Sequence, residues 1–267
     1  MDDCDIRDLV LAGVKWELTD MPAALAAVAK AALAPTADVQ VSSNVSNVVN
    51  GNVNTMRTQT SIVPPIAPQQ AISVDTAVAM AARPVDIDSL CRMISEFNHP
   101  LRAGATNVVL PHVANNPNGL VIITDVPGGE DDATGRILSG AAGELLDKML
   151  AAIGMSRDNV SIVPLVFWRT PGGRTPNRAE LDLARPFFDR VLALLQPRFI
   201  LTLGTLSATE VANVSLPRGH GITVSLPSGI TAMPIYHPNY LILKPAAKRD
   251  AWNALQIVQN LLKSADK

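Results

Sequence analysis

The chain has 267 residues, a formal net charge of −2, 48% hydrophobic side chains and only 17% charged ones, enough apolar material for one ordinary domain with a sizeable core plus an extension. Two cysteines, Cys4 and Cys91, cannot build a disulfide framework or a four-thiolate site, and four histidines without ligand spacing argue against structural zinc. No apolar run approaches the roughly 18 residues of a membrane span, and the acidic start MDDCDIRDLV lacks the basic opening of a secretory signal, so a soluble, cytoplasmic protein is expected.

Residues 1–35 form an N-terminal helical segment, with apolar positions at Ile6, Leu9, Val10, Leu11 and Val14. Residues 36–73 are rich in Asn, Ser, Thr, Gln, Val and Pro and nearly free of charge, which reads as a flexible polar linker. Together these segments could tether the rest of the chain to a protein partner. Residues 74–117 make a helical lead-in, with Asp86 or Asp88 as a cap ahead of Leu90, Met93 and Ile94. From 118 to 267 strands and helices alternate. The spacing predicts strands over Leu120–Thr124, Val160–Val166, Phe199–Leu203 and Ile230–Ile235, and helices over Ala141–Ile153, Leu181–Leu195, the stretch through Val211, and Lys248–Leu262. That alternation predicts a three-layer α/β/α domain around a four-stranded, mostly parallel sheet, with function gathered at the carboxyl ends of the strands. Charge is divided unevenly: residues 118–267 carry 15 Lys and Arg against 13 Asp and Glu, the remainder 7 against 11. So small a surplus suits a local nucleic-acid contact and many other roles equally.

Four predicted strand ends carry distinctive text. The first is Thr124-Asp125-Val126-Pro127-Gly128-Gly129-Glu130-Asp131, followed by Gly135 to Gly140. The second is Phe167-Trp168-Arg169-Thr170-Pro171-Gly172-Gly173-Arg174-Thr175-Pro176. The third is Leu203-Gly204, and the fourth is His237-Pro238-Asn239-Tyr240-Leu241 with Lys248-Arg249 beyond it. Each alone has an ordinary structural reading: a Pro-Gly-Gly turn, a packed tryptophan, a solvated basic pair. Their order and spacing say more.

That order resembles the family-4 uracil-DNA glycosylases of bacteria. Members carry a Gly-Glu-Ala-Pro-Gly loop, then Glu-Asp and Gly-Arg-Pro-Phe-Val-Gly, and a helix reading Gly-Gln-Leu-Leu-Asp-Arg-Met-Leu, where this chain has Gly143 to Leu150. An Arg-Pro-Pro-Gly-Asn-Arg-x-Pro loop is matched by Arg169 to Pro176. A His-Pro-x-Tyr-Leu motif and a Lys-Arg-x-x-Trp helix are matched by His237 to Leu241 and Lys248 to Trp252. Phe97 to Val109 also looks like the family's Ala-Thr-Asn-Leu-Val region.

The resemblance implies a DNA base-excision glycosylase that hydrolyses the N-glycosidic bond of uracil or a related damaged base, acting as a monomer on DNA. His237 and Asp125 would be its catalytic groups. Val126, Pro127, Gly128, Leu138 and Pro164 would line the base pocket, and Arg174, Pro238, Asn239, Lys248 and Arg249 would hold the DNA backbone without reading sequence. The chain departs from the pattern inside that pocket. Thr124-Asp125-Val126 replaces Gly-Glu-Ala, Leu138 stands where the family's uracil-stacking Phe does, and Pro164 where its uracil-reading Asn does. Proline has no amide to tell uracil from cytosine. Trp168 and His99 stand where the family has two of the four cysteines of its iron–sulfur cluster, so no cofactor and no metal is expected. A second reading therefore stays open, a catalytically degenerate relative that binds DNA or serves as a scaffold.

Overall fold

The computed structural model describes residues 73–265. The expected N-terminal helical segment and the linker up to residue 72 lie outside the described residues, as does Cys4.

The lead-in begins with α1 (Val74–Ala81), capped by the Ser73 hydroxyl, and α2 (Ile87–Glu96), which starts at a reciprocal capping box between Asp86 and Ser89. Asp86 rather than Asp88 is thus the cap, accepting the Ser89 N–H at 2.7 Å. Both helices pack on the long helix α5 (Arg178–Leu195). Leu90, Ile94 and Phe97 join Phe187 and Phe188 in one buried cluster.

The sheet runs β2-β1-β3-β5-β4 in space. Strands β1 (Leu120–Thr124), β2 (Ser161–Pro164), β3 (Phe199–Leu203) and β5 (Thr231–Ile235) are parallel, and β4 (Val224–Ser225) pairs antiparallel with β5. Five strands therefore stand where four are expected. The extra one is a two-residue edge pairing, closed by a turn at Gly229 and too short to leave a period in the sequence. Strand β2 also ends earlier than the apolar run suggests. Beyond Pro164 the Leu165 N–H turns to the carbonyls of Thr124 and Asp125, at 2.9 and 3.0 Å, so the chain leaves the ladder there.

Alternate residues of the central strands feed two cores, as a pleat requires. Val121, Ile123, Val163 and Ile200 face the side of α1, α2 and α5. Leu120, Ile122, Ile162, Leu201 and Met233 face α4 (Gly140–Ala152) and α8 (Lys248–Ala265) through Leu146, Leu150, Leu255 and Val258. Each fully buried aliphatic or aromatic side chain of this kind contributes about 1.5–3 kcal/mol. The result is the three-layer arrangement that the alternating sequence predicts. Among the described residues no helix is long and apolar enough to cross a membrane.

Register decides where the ends open. Thr124 lies level with Pro164 on one side and Leu203 on the other, and Leu203 is level with Ile235. The chain passes from β1 to β2 and then back across to β3, so the connections diverge between β1 and β3. Such a switch point opens a crevice at the carboxyl ends of the strands.

Candidate functional site at the strand ends

His237 follows β5 and is the N-cap of the short helix α7 (Pro238–Leu243). Its Nδ1 accepts the Asn239 N–H at 3.2 Å, and its Nε2 lies 3.2 Å from the Thr124 Oγ1 at the end of β1. With Nδ1 serving as an acceptor, a neutral ring carries its proton on Nε2 and donates it to the Thr124 hydroxyl. Burial lowers the His237 pKa, while the nearby charges of Asp125 and Asp131 act in the opposite sense. The sum favours a neutral imidazole with one polarised N–H in the crevice.

Asp125, one residue past β1, spans the switch point. Its Oδ1 accepts the Ser207 N–H at 2.6 Å and its Oδ2 the Leu206 N–H at 3.3 Å, both in the first turn of α6 (Thr205–Ala212). The carboxylate thus complements the positive end of a helix from another strand. Gly204 makes the approach feasible. Its φ is +111°, and a Cβ there would lie 2.3–2.8 Å from the three carboxylate atoms. Burial raises the Asp125 pKa, opposed by His237 and by the Ser207 and Leu206 hydrogen bonds. The two carboxylate oxygens keep lone pairs beyond these bonds.

The loop between Val126 and Gly140 is held by acids that reading along the chain did not single out. Asp131 accepts from the Gly128 N–H at 3.0 Å, the Ser139 N–H at 2.7 Å and the Ser139 hydroxyl at 2.8 Å. The Gly128 amide, expected to face a bound base, is thereby given to Asp131 at the start of α3 (Gly129–Thr134). Asp132 accepts from the Thr106 and Asn107 amides at 2.8 and 3.1 Å, fastening the lead-in to the same loop. These are the Glu-Asp positions of the motif, and that match was the available signal. Val126 is half-buried against the core and Pro127 is buried.

Leu138 is buried in the second core and holds φ +47°, a strained conformation for a leucine. Arg157 fixes it, donating to the carbonyls of Ile137 and Leu138 at 2.9 and 2.6 Å. The Leu138 carbonyl sits where a Cβ on Gly143 would be, 1.8 Å away, so glycine is required on that turn of α4. Pro164 ends β2 fully within the core and brings no amide to the crevice.

The structure gives Arg174 a different employment from the expected one. Its Nη1 donates to Glu180 Oε2 at 2.8 Å and to the Thr175 carbonyl at 3.1 Å, and its Nη2 to Glu180 Oε1. Glu180 is a buried acid at the start of α5 that also accepts the Asn177 N–H at 2.8 Å, and these bonds hold its carboxyl below the usual range. Its two terminal nitrogens are engaged within the protein, so Arg174 fastens the loop after β2. Pro238 is buried at the first position of α7, and Asn239 is exposed. Lys248 and Arg249 are exposed at the start of α8.

Against this geometry, the family model described as the uracil DNA glycosylase superfamily matches residues 111–256. The type-4 uracil-DNA glycosylase of Pyrobaculum aerophilum is 31% identical over 180 residues, covering 61% of this chain and 88% of the relative. That of Thermotoga maritima is 32% identical over 146 residues, 54% of this chain and 76% of the relative. The Archaeoglobus fulgidus enzyme of the same name is 29% identical over 154 residues, 54% and 77%.

These relatives correct the expectation that no cofactor belongs to the protein, because type 4 is the class that carries an iron–sulfur cluster. The residues at the matching positions are a poor fit to four thiolates. Cys91 is the one cysteine among the described residues, its thiol pushed up by burial. His99 and Trp168 are both buried and stack with centroids 4.5 Å apart and planes 3° from parallel. Both His99 nitrogens are occupied, Nδ1 by the Leu101 N–H at 3.2 Å and Nε2 by the Glu180 carbonyl at 3.0 Å, and burial lowers its pKa. Phe97 and Phe187 close the same aromatic group with centroids 4.7 Å apart.

Proposed function

The chain belongs to the uracil DNA glycosylase superfamily, and on that premise we propose that it is a DNA repair glycosylase hydrolysing the bond between deoxyribose C1′ and N1 of uracil or a closely related base. The observation that carries this reading is the His237 imidazole, held with its Nε2–H in the crevice between the loops after β1 and β5.

The target nucleotide leaves the stack and enters the crevice, at a cost of a few kcal/mol in unstacking. As C1′–N1 breaks, the electron pair moves onto the base, and negative charge grows on its carbonyl oxygen. The His237 Nε2–H, released from Thr124, donates to that oxygen. A neutral donor suits the task, because it strengthens its hydrogen bond as charge develops without having to surrender the proton. A preorganised donor of this kind is worth about 10²–10³ in rate. The sugar becomes cation-like at the same time. Asp125, anchored by two α6 amides, places negative charge on that side of the crevice, and its free lone pairs can orient the water that adds to C1′. One water is consumed, and the free base and an abasic sugar are released. Lys248 and Arg249 lie exposed to meet phosphates.

Base selection is weaker than a side-chain amide would give. A site that loses the hydrogen bonds reading its substrate loses discrimination by orders of magnitude, and Pro164 supplies none. The same residue favours the second reading, a DNA-binding relative with little excision.

Excision from an oligonucleotide with one deoxyuridine, single-stranded and opposite guanine, tests the proposal, with His237→Ala alongside. Cleavage by the wild type that the variant loses supports it. No cleavage by a folded protein that still binds the oligonucleotide refutes the enzyme reading and leaves the DNA-binding one.

A further inference from the structure

Resting on that DNA-directed reading, we infer that Arg169, and not Arg174, is the arginine of the loop after β2 that binds a DNA phosphate beside the crevice.

The Arg169 guanidinium stands over the first glycine of α3. A Cβ built on Gly129 would be 3.5 Å from Nη2, 3.6 Å from Cζ and 3.8 Å from Nη1, so the end of the guanidinium lies over that position. The guanidinium thus occupies the space above a residue with no side chain, beside the loop that carries Asp125. The side chain is half-buried, and among the described residues it has no hydrogen-bond or ion-pair partner.

That combination is specific to this residue. Arg83, Arg92, Arg136, Arg218 and Arg249 also lack a side-chain hydrogen-bond or ion-pair partner among the described residues, but all are exposed to water. The half-buried arginines Arg157 and Arg190 are paired, with Asp147 and two carbonyls for the first and with the Pro84 carbonyl for the second. A partly desolvated guanidinium without an acceptor is costly, and the cost is recovered when an anion arrives.

The surrounding acids cannot be that anion, because each is committed elsewhere. Asp131 holds Gly128 and Ser139, Asp132 holds Thr106 and Asn107, Asp125 holds α6, and Glu180 holds Arg174. Glu130 is turned away over Gly140, whose Cβ position it overlaps. The loop therefore divides its two arginines between two tasks. Arg174 secures the backbone, and Arg169 presents an uncommitted guanidinium at the strand-end rim, where a polyanionic substrate would pass.

The test is fluorescence anisotropy of the full chain with a labelled DNA duplex of ordinary sequence, across a salt series, for wild type, Arg169→Ala and Arg169→Lys, with thermal melts to confirm folding. Each phosphate contact contributes about 0.9 to the slope of log K against log salt, which corresponds to roughly eightfold in affinity near 0.1 M salt. Arg169→Ala should lower the slope by about one and weaken binding by that factor, while Arg169→Lys keeps the slope and loses less affinity. An Arg169→Ala protein with the wild-type slope and affinity overturns this assignment and leaves the DNA reading standing. A wild type with no salt-dependent binding overturns both.

Discussion

Gly204→Ala probes the device that joins β1 to β3. The new Cβ would lie 2.3 Å from Asp125 Oδ2, 2.6 Å from its Cγ and 2.8 Å from Oδ1, so the carboxylate has to move. Movement gives up the Ser207 and Leu206 bonds, of 2.6 and 3.3 Å. Hydrogen bonds to a charged group are worth about 1.5–3 kcal/mol, and a half-buried acid with one long bond belongs toward the low end, about 2–3 kcal/mol for the pair. A side chain at φ +111° adds about 1–3 kcal/mol of backbone strain. The sum is about 3–6 kcal/mol, or a fall in Tm of roughly 6–24 °C for a domain of this size. Asp125→Ala removes the group that the Cβ strikes. In that background Gly204→Ala should cost only the strain, and a double-mutant cycle by thermal melting should show a coupling of at least about 1 kcal/mol. Strictly additive losses, or a Gly204→Ala protein melting within about 2 °C of wild type, would refute the clash argument and with it the role given to this glycine.

Other perturbations reach different parts of the site. His237→Ala should lower single-turnover excision by about 10²–10³ while DNA affinity stays within a factor of about two; equal loss of both would deny the histidine its role as donor. Pro164→Asn should restore an amide at the end of β2 and raise excision of uracil relative to cytosine, and a ratio that does not rise would show that the base is read from elsewhere. Glu180→Gln should destabilise the fold by about 1–3 kcal/mol, read from denaturant unfolding, by leaving Arg174 without its charge partner. Burial lowers the pKa of His99, His220 and His237. Each therefore binds a proton more readily when unfolded, so the stability that its neutral form provides is present above the ordinary value near 6.5 and is lost as pH falls through the lowered folded value. Tm should drop between about pH 7.5 and about pH 5.5, and a flat or rising Tm would contradict the burial of these rings.

How far the sequence alone reaches depends on the sequence distance each feature spans. The alternation of apolar runs determined the layers of the domain, because period 2 and period 3.6 are local properties, and β1 and β3 lie over the residues expected. The motif text also brought His237 and the loop after β1 forward, since each motif is contiguous. The edge strand β4 escaped because two residues carry no period. Partnerships between distant residues escaped for a stronger reason. Thr124 meets His237 across 113 positions and Asp125 meets Ser207 across 82, so the register of a parallel sheet decided what the histidine Nε2 faces and how the acid is anchored. Arg174 and Arg169 are equally basic on paper. Only the folded loop, by setting Glu180 against one and a bare glycine backbone beneath the other, separates a guanidinium whose charge is already answered from one that awaits an anion.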